Sequence, residues 1–179
     1  MSRVVVGVSG SAACFKAVEI VSSLVQQGHE VIPVLTKSAS LLVAPLQFSC
    51  IAGRKALTSE WNPSDDSGMD HIAFARNIDL LLVVPATANR IGLFAHGIAS
   101  DLLGSLVLAF PFNKPRLFVP AMNPEMWAHP AVQRNVQQLA DDGWQRIGPV
   151  AGSTACREIG LGRMAEPTVI LDAVQGALS

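Results

Sequence analysis

Four features of the sequence carry groups with chemistry to do. The first is the run Gly7-Val8-Ser9-Gly10-Ser11, set between an apolar stretch and a helical one. Backbone N–H groups at a helix N-terminus, with serine hydroxyls beside them, bind phosphate; the same residues would also serve as an ordinary strand-to-helix turn. The second is His71, which follows Met69-Asp70. An imidazole, with an ordinary pKa of about 6.5, takes a proton at neutral pH. A surface histidine at a helix start has the same local sequence, and Asp70 suits a helix cap better than an acid. The third is Asn123, whose amide can donate two hydrogen bonds and so suits a carboxylate. It sits between Met122 and Met126, which either shape a pocket or fill a core. The fourth is Cys156, a thiol flanked by small and charged residues instead of an apolar run.

The first run narrows the nucleotide. A dinucleotide fingerprint reads G-x-G-x-x-G, with an acidic residue about 20 positions on to hold a ribose hydroxyl. Here the run is Gly7-x-Ser9-Gly10-x-Ala12, and the next strand ends in Thr36-Lys37-Ser38 with no Asp or Glu. NAD is disfavoured. FMN has one phosphate and no adenosine ribose, so it does not need that acid, and Gly7, Ser9, Gly10, Ser11, Thr36 and Ser38 become candidate FMN contacts.

These groups need elements to hold them. Val4–Val8 reads as an all-apolar strand, Ala12–Gln27 as an amphipathic helix closed by Gly28, and Glu30–Leu35 as a second apolar strand. That is a βαβ unit, whose parallel strands are buried by helices on both faces. Strands are predicted at 80–84, 117–119 and 144–147, and helices at 88–95, 101–110, 131–141 and 168–178. The segment 148–167, rich in glycine and proline around an Arg-Met pair, reads as a long mobile loop. The expected fold is a doubly wound, Rossmann-like (flavodoxin-like) α/β three-layer sandwich with a mainly parallel sheet, forming a single domain over 1–179 with a mobile lid at about 148–167.

Composition sets bounds. Of 179 residues half are hydrophobic and only 15% are charged, which suggests strands buried on both faces or surface buried between subunits. A net charge of −1 gives no basic field for nucleic acid or an anionic membrane. No stretch reaches the roughly 20 apolar residues that span a bilayer, and Met1-Ser2-Arg3 lacks the pattern of a signal peptide. Cys14, Cys50 and Cys156 form no C-x-x-C pair, so neither zinc nor a disulfide framework is expected, and a reducing cytoplasm is the simplest compartment. Cys14 and Cys50 fall in apolar helical patterns and are expected to be buried.

Three later segments, in order, carry a resemblance. Pro85-Ala86-Thr87-Ala88-Asn89 resembles the P-A-S-A-N-T motif of the flavin-containing cysteine decarboxylases. Residues 120–127, Pro-Ala-Met-Asn-Pro-Glu-Met-Trp, fit their P-x-M-N-x-x-M-W motif at every fixed position. Residues 155–167 resemble the lid of phosphopantothenoylcysteine decarboxylases, with Arg157 where the lid motif A-C-G has glycine. The likeness runs from about Val4 to Val174. It covers the decarboxylase half of the bifunctional bacterial enzymes and not their synthetase half, so a separate protein is expected to join cysteine to phosphopantothenate. Asn89 is followed by Arg90 where the enzymes acting on peptides have Thr.

The resemblance implies FMN-dependent decarboxylation of 4′-phosphopantothenoylcysteine to 4′-phosphopantetheine in coenzyme A biosynthesis. It adds Thr87, Ala88 and Asn89 to the FMN contacts. It makes His71 the base, Asn123 the grip on the substrate carboxylate and Cys156 the group that helps reduce an enethiol to the saturated thiol. Met122 and Met126 would shape the pocket; Arg76 is a candidate for a substrate anion or a solvated surface charge. The expected partner is a small-molecule thiol, and the expected assembly a homotrimer or homododecamer. One alternative is oxidative decarboxylation of a peptide's C-terminal cysteine, which stops at the enethiol and typically lacks the cysteine; a second is a non-catalytic flavin-binding regulatory subunit.

Overall fold

A computed structural model describes residues 1–59 and 71–179 of the chain, with side chains described over 1–59 and 74–179. Its central sheet is built from β1 (Arg3–Val8), β2 (Glu30–Leu35), β3 (Leu80–Ala86), β4 (Arg116–Pro120) and β5 (Gln145–Arg146). All neighbours pair in parallel, in the order β2-β1-β3-β4-β5. The chain thus reverses direction across the sheet between β1 and β3, and in open α/β sheets the crevice beyond the C-terminal ends of the strands at such a point takes the ligand.

The helices are α1 (Cys14–Gln26), α2 (Lys37–Ser40), α3 (Pro45–Ala52), α4 (His71–Arg76), α5 (Ala88–Ala95), α6 (Leu102–Ala109), α7 (Pro124–Ala128), α8 (Pro130–Asp141) and α9 (Pro167–Leu178). They bury both faces of the sheet. Val4, Val6, Val8, Leu82, Val84 and Val119 point toward α1, α3 and α9, where Ile20, Leu24, Phe48, Ile170 and Val174 meet them. Val5, Val34, Leu81, Val83 and Phe118 point the other way, toward Ile91, Leu103, Leu106, Val136 and Leu139. Because successive side chains of a strand alternate faces, continuous apolar runs such as 80–84 are what a sheet covered on both sides requires.

Two expectations fail here. The segment read as an open loop holds a two-stranded antiparallel hairpin, β6 (Val150–Ser153) and β7 (Ile159–Arg163). Its glycines serve close packing. A Cβ at Gly160 would fall 2.7 Å from Pro124 Cγ, and one at Gly162 would fall 2.4 Å from the Met122 carbonyl oxygen. Cys50, expected in the core, is exposed on α3, because that short helix buries Phe48 and turns Cys50 outward. No helix among the described residues is long and apolar enough to cross a membrane.

Candidate active site

The loops after β1 and β3 meet at the C-terminal edge of the sheet. Ser9 is buried there; its Oγ donates to the Pro85 carbonyl (2.7 Å) and accepts from the Thr87 N–H (3.0 Å). Gly10 packs so tightly on α2 that a Cβ would lie 2.5 Å from Ser38 Cβ. Thr36 and Thr87 cap α2 and α5 by accepting from the N–H groups of Ala39 and Arg90, which leaves each hydroxyl its own proton to donate. Ser9, Gly10, Ser11, Thr36, Ser38, Thr87 and Ala88 therefore gather on two adjacent loops and the helix starts behind them, with exposed Asn89 next in α5, whereas Gly7 lies inside β1, where a Cβ would fall 2.6 Å from Leu103 Cδ1.

Beside this cradle opens a cavity of about 470 Å3. Ser11, Lys16, Met122, Asn123, Cys156 and Arg163 are among the residues that line it. The β6–β7 hairpin forms one wall, pinned to the body where the Met122 N–H donates to the Gly162 carbonyl (3.0 Å). Asn123 ends the strand-to-helix turn and caps α7: its Oδ1 accepts from the Met126 N–H at 2.8 Å. With that oxygen committed, the Nδ2 group is the part of Asn123 left for a ligand, and it can only donate.

Two sequence-predicted residues lie elsewhere. Met126 is 47% exposed and outside the cavity lining. Arg76 ends α4 near the N-terminal edge of the sheet, where its carbonyl accepts from Lys114 Nζ just ahead of β4; the cavity is at the other edge. His71 opens α4, and its side chain lies outside the described residues, as does Asp70.

The profile described as Flavoprotein matches residues 1–179. The chain belongs to the Flavoprotein family. The coenzyme A biosynthesis bifunctional protein CoaBC of Bacillus subtilis is 41% identical over 169 residues, covering 94% of this chain and 41% of that protein. The chain thus spans about two fifths of the length of the curated bifunctional relatives it matches. Among solved structures, a cysteine-to-serine variant of a PPC decarboxylase, complexed with pantothenoylaminoethenethiol, superposes with a TM-score of 0.85 at 30% identity, covering 97% of this chain and 96% of that one. The FMN-dependent cysteine decarboxylase SpaF superposes with a TM-score of 0.83 at 32% identity, covering 99% and 95%.

Within this Flavoprotein member the hairpin tip departs from the glycine of the lid motif. Arg157 has φ 63° and is the one non-glycine residue at positive φ among those described. The arginine adopts the left-handed conformation a glycine would take, at a cost of about 1 kcal/mol. The turn survives, with the Arg157 N–H on the Thr154 carbonyl and the Thr154 N–H on the Glu158 carbonyl, both at 2.9 Å. Cys156, one residue before, stays at the cavity.

Lys16 and Arg163 were not among the site residues expected from the sequence. Both line the cavity and both bond Glu166, Lys16 Nζ at 3.0 Å. The Lys16 hydrogen bond, aided by the charge of Arg163, holds the Glu166 carboxyl below the usual carboxylate range. Two cations share one carboxylate, so this wall is left net positive. The Arg-Met pair at 163–164 was the available signal; nothing local distinguished Lys16.

Proposed function

We propose that this chain is an FMN-dependent decarboxylase that converts 4′-phosphopantothenoylcysteine to 4′-phosphopantetheine in coenzyme A biosynthesis. One observation carries the reading: a phosphate-type cradle opens beside a cavity that holds Asn123, Met122 and Cys156 together. The chain's own groups fit FMN. The N–H groups of Gly10 and Ala12 have no acceptor within the described chain, the hydroxyls of Ser11, Thr36 and Thr87 lie near them in the fold, and no carboxylate ends β2 to call for an adenosine ribose. When bound, the flavin supplies a two-electron acceptor for the carbon that bears sulfur.

The residues then divide the work. His71 takes the thiol proton. The Nδ2 of Asn123 donates to the substrate carboxylate and orients it, and Met122 excludes water from that side. Oxidation of the thiol-bearing carbon, the chemistry the flavin would supply, would place a C=S group β to the carboxylate, an electron sink into which the C–C bond can break as CO₂ departs. Saturation of the resulting enethiol would take a proton and the two electrons that the flavin had accepted, and Cys156 delivers the proton. Lys16 and Arg163 add an attraction for the anionic ends of the substrate.

The purified protein is expected to be yellow, to hold FMN in preference to FAD or NAD, and to release CO₂ from 4′-phosphopantothenoylcysteine as read by product mass. A colourless protein that cannot be reconstituted with FMN would sink the reading. The likeness to SpaF keeps a second substrate in view, a peptide ending in cysteine; that reading predicts turnover of the peptide and release of the enethiol. Cys156 at the cavity favours the first.

The same reading includes a homotrimer, or a homododecamer, working in the cytoplasm on a small-molecule thiol. Its support is the apolar surface beside α1: Phe15, Leu42 and Val43 line a groove of about 560 Å3, and Leu41 and Leu46 stand 82% and 71% exposed. Exposed apolar clusters of this kind mark interaction surfaces. Light scattering should give a trimer or a multiple of it; a stable monomer with full turnover would contradict the assembly.

A further inference from the structure

The loop after β1 is held from three directions, and one of its holders has no role in the chemistry above. From β3, Ser9 is fixed by Pro85 and Thr87; from α2, Gly10 is fixed by contact with Ser38. From α1, the hold is Cys14. Its Sγ donates to the Ser9 carbonyl at 3.0 Å and accepts from the Ser11 N–H at 3.4 Å. Cys14 is 1% exposed. Burial pushes its thiol above the ordinary value, against the smaller opposing effect of the Ser11 backbone bond, so the group keeps the proton it donates.

This clamp decides which backbone groups face outward. The Ser11 N–H is spent on sulfur, the Ala13 N–H on Ser11 Oγ and the Ser9 N–H on the Pro85 carbonyl. Gly10 and Ala12 keep theirs unspent among the described residues. Unspent backbone N–H groups on a turn at a helix start can take an anion, and the directions of these two depend on the peptide planes that Cys14 holds.

We propose that Cys14 is a positioning residue for the anion cradle, setting the affinity for the phosphate end of FMN without touching it. The proposal rests on the reading that FMN binds at this loop. A thiol suits the position because it is both a weak donor and a weak acceptor, and because sulfur spans the longer separations that a backbone turn leaves between its carbonyl and N–H groups. Alanine would leave a buried carbonyl without its donor and free the Ser11 N–H to turn away.

FMN and riboflavin, which share the ring and differ in the phosphate, separate this role from general packing. Each is titrated into the full chain with flavin fluorescence as the readout, for wild type, Cys14→Ala, Cys14→Val and Cys14→Ser. Cys14→Ala and Cys14→Val, the latter filling the space of the thiol without a donor, are expected to raise the FMN dissociation constant about fivefold to tenfold, as two modest hydrogen bonds allow. Their riboflavin dissociation constants should move by less than about twofold on the same argument. Cys14→Ser, which keeps a donor and an acceptor, should recover most of the loss. Wild-type FMN affinity in the alanine and valine variants overturns the proposal, and so does a parallel loss of both flavins. A wild-type protein that binds no flavin overturns the functional reading and this proposal with it; a wild type that binds FMN beside indifferent Cys14 variants overturns this proposal alone.

Discussion

Asn123→Asp should fold, bind FMN and lose decarboxylation by about a thousandfold in kcat/KM. The substitution is clean because of the two jobs Asn123 does. Its Oδ1 caps α7 through the Met126 N–H, and aspartate is an equally good cap, so α7 and the turn that carries Met122 are preserved. What changes is the outward half of the side chain, where an amide that donates becomes a carboxylate that cannot. Two unit charges about 4 Å apart at an effective dielectric constant of about 20 repel by about 4 kcal/mol, which is roughly three orders of magnitude in rate. Thermal melting and FMN content should stay near wild type while the carbon dioxide signal vanishes. Asn123→Ala, by contrast, should lose both the cap, at about 1 kcal/mol of stability, and the carboxylate contact. Near-normal turnover by Asn123→Asp would remove Asn123 from substrate recognition. His71→Asn is the companion variant: flavin retained, substrate oxidation lost for want of a base, and normal turnover would clear His71 of that role.

The sequence made most of the sheet legible because β1 to β4 are buried on both faces and appear as largely apolar runs between turn residues, whereas β5 is two exposed polar residues, Gln145 and Arg146. The hairpin was not legible for the opposite reason. Val150, Ile159 and Leu161 are all at least partly exposed, and β6 and β7 bury so little that no alternation of polar and apolar residues marks them. Gly160 and Gly162 look like breakers, yet they are small because Pro124 and the Met122 carbonyl press against them. Likewise α7 is five residues long, too short for helical periodicity, and its start is visible only as the cap Asn123 followed by Pro124. Site legibility followed the same rule. Groups carried in short motifs, such as Ser9, Gly10, Thr87 and Asn123, could be found from their neighbours in sequence, although Ser9 and Gly10 are held in place by residues far along the chain. Lys16 lines the cavity from the first turn of α1 and is held there by Glu166, 150 residues away, and no local pattern encodes that. Met126 shows the converse: its motif position is plain, but the α7 turn leaves it half in solvent.

Cys156→Ser is the variant that separates the two substrate readings, and it should change the product more than the rate of the first step. Cys156 stands at the tip of the β6–β7 hairpin, on the wall of the cavity that also holds Asn123. Serine is nearly the same size, and the residue is exposed, so hairpin and flavin site should be undisturbed. On the proposed reading, carboxylate loss draws on the flavin, His71 and Asn123, and should proceed once. Saturation of the enethiol is different, because the carbon that lost CO₂ must gain a proton as the electrons return. A thiol gives up a proton far more readily than a hydroxyl, and a well-placed acid contributes about a hundredfold or more to such a step. Formation of 4′-phosphopantetheine should therefore fall by at least about a hundredfold. The protein should hold a product about two mass units lighter, as loss of two hydrogens to a two-electron acceptor requires. A wild-type protein that itself releases the lighter enethiol, from a peptide or from phosphopantothenoylcysteine, would show that Cys156 has no reductive role and would move the peptide reading ahead. Saturated thiol formed by Cys156→Ser at the wild-type rate would mean that another group gives the proton, and the preference for the coenzyme A substrate would lose the side chain it stands on.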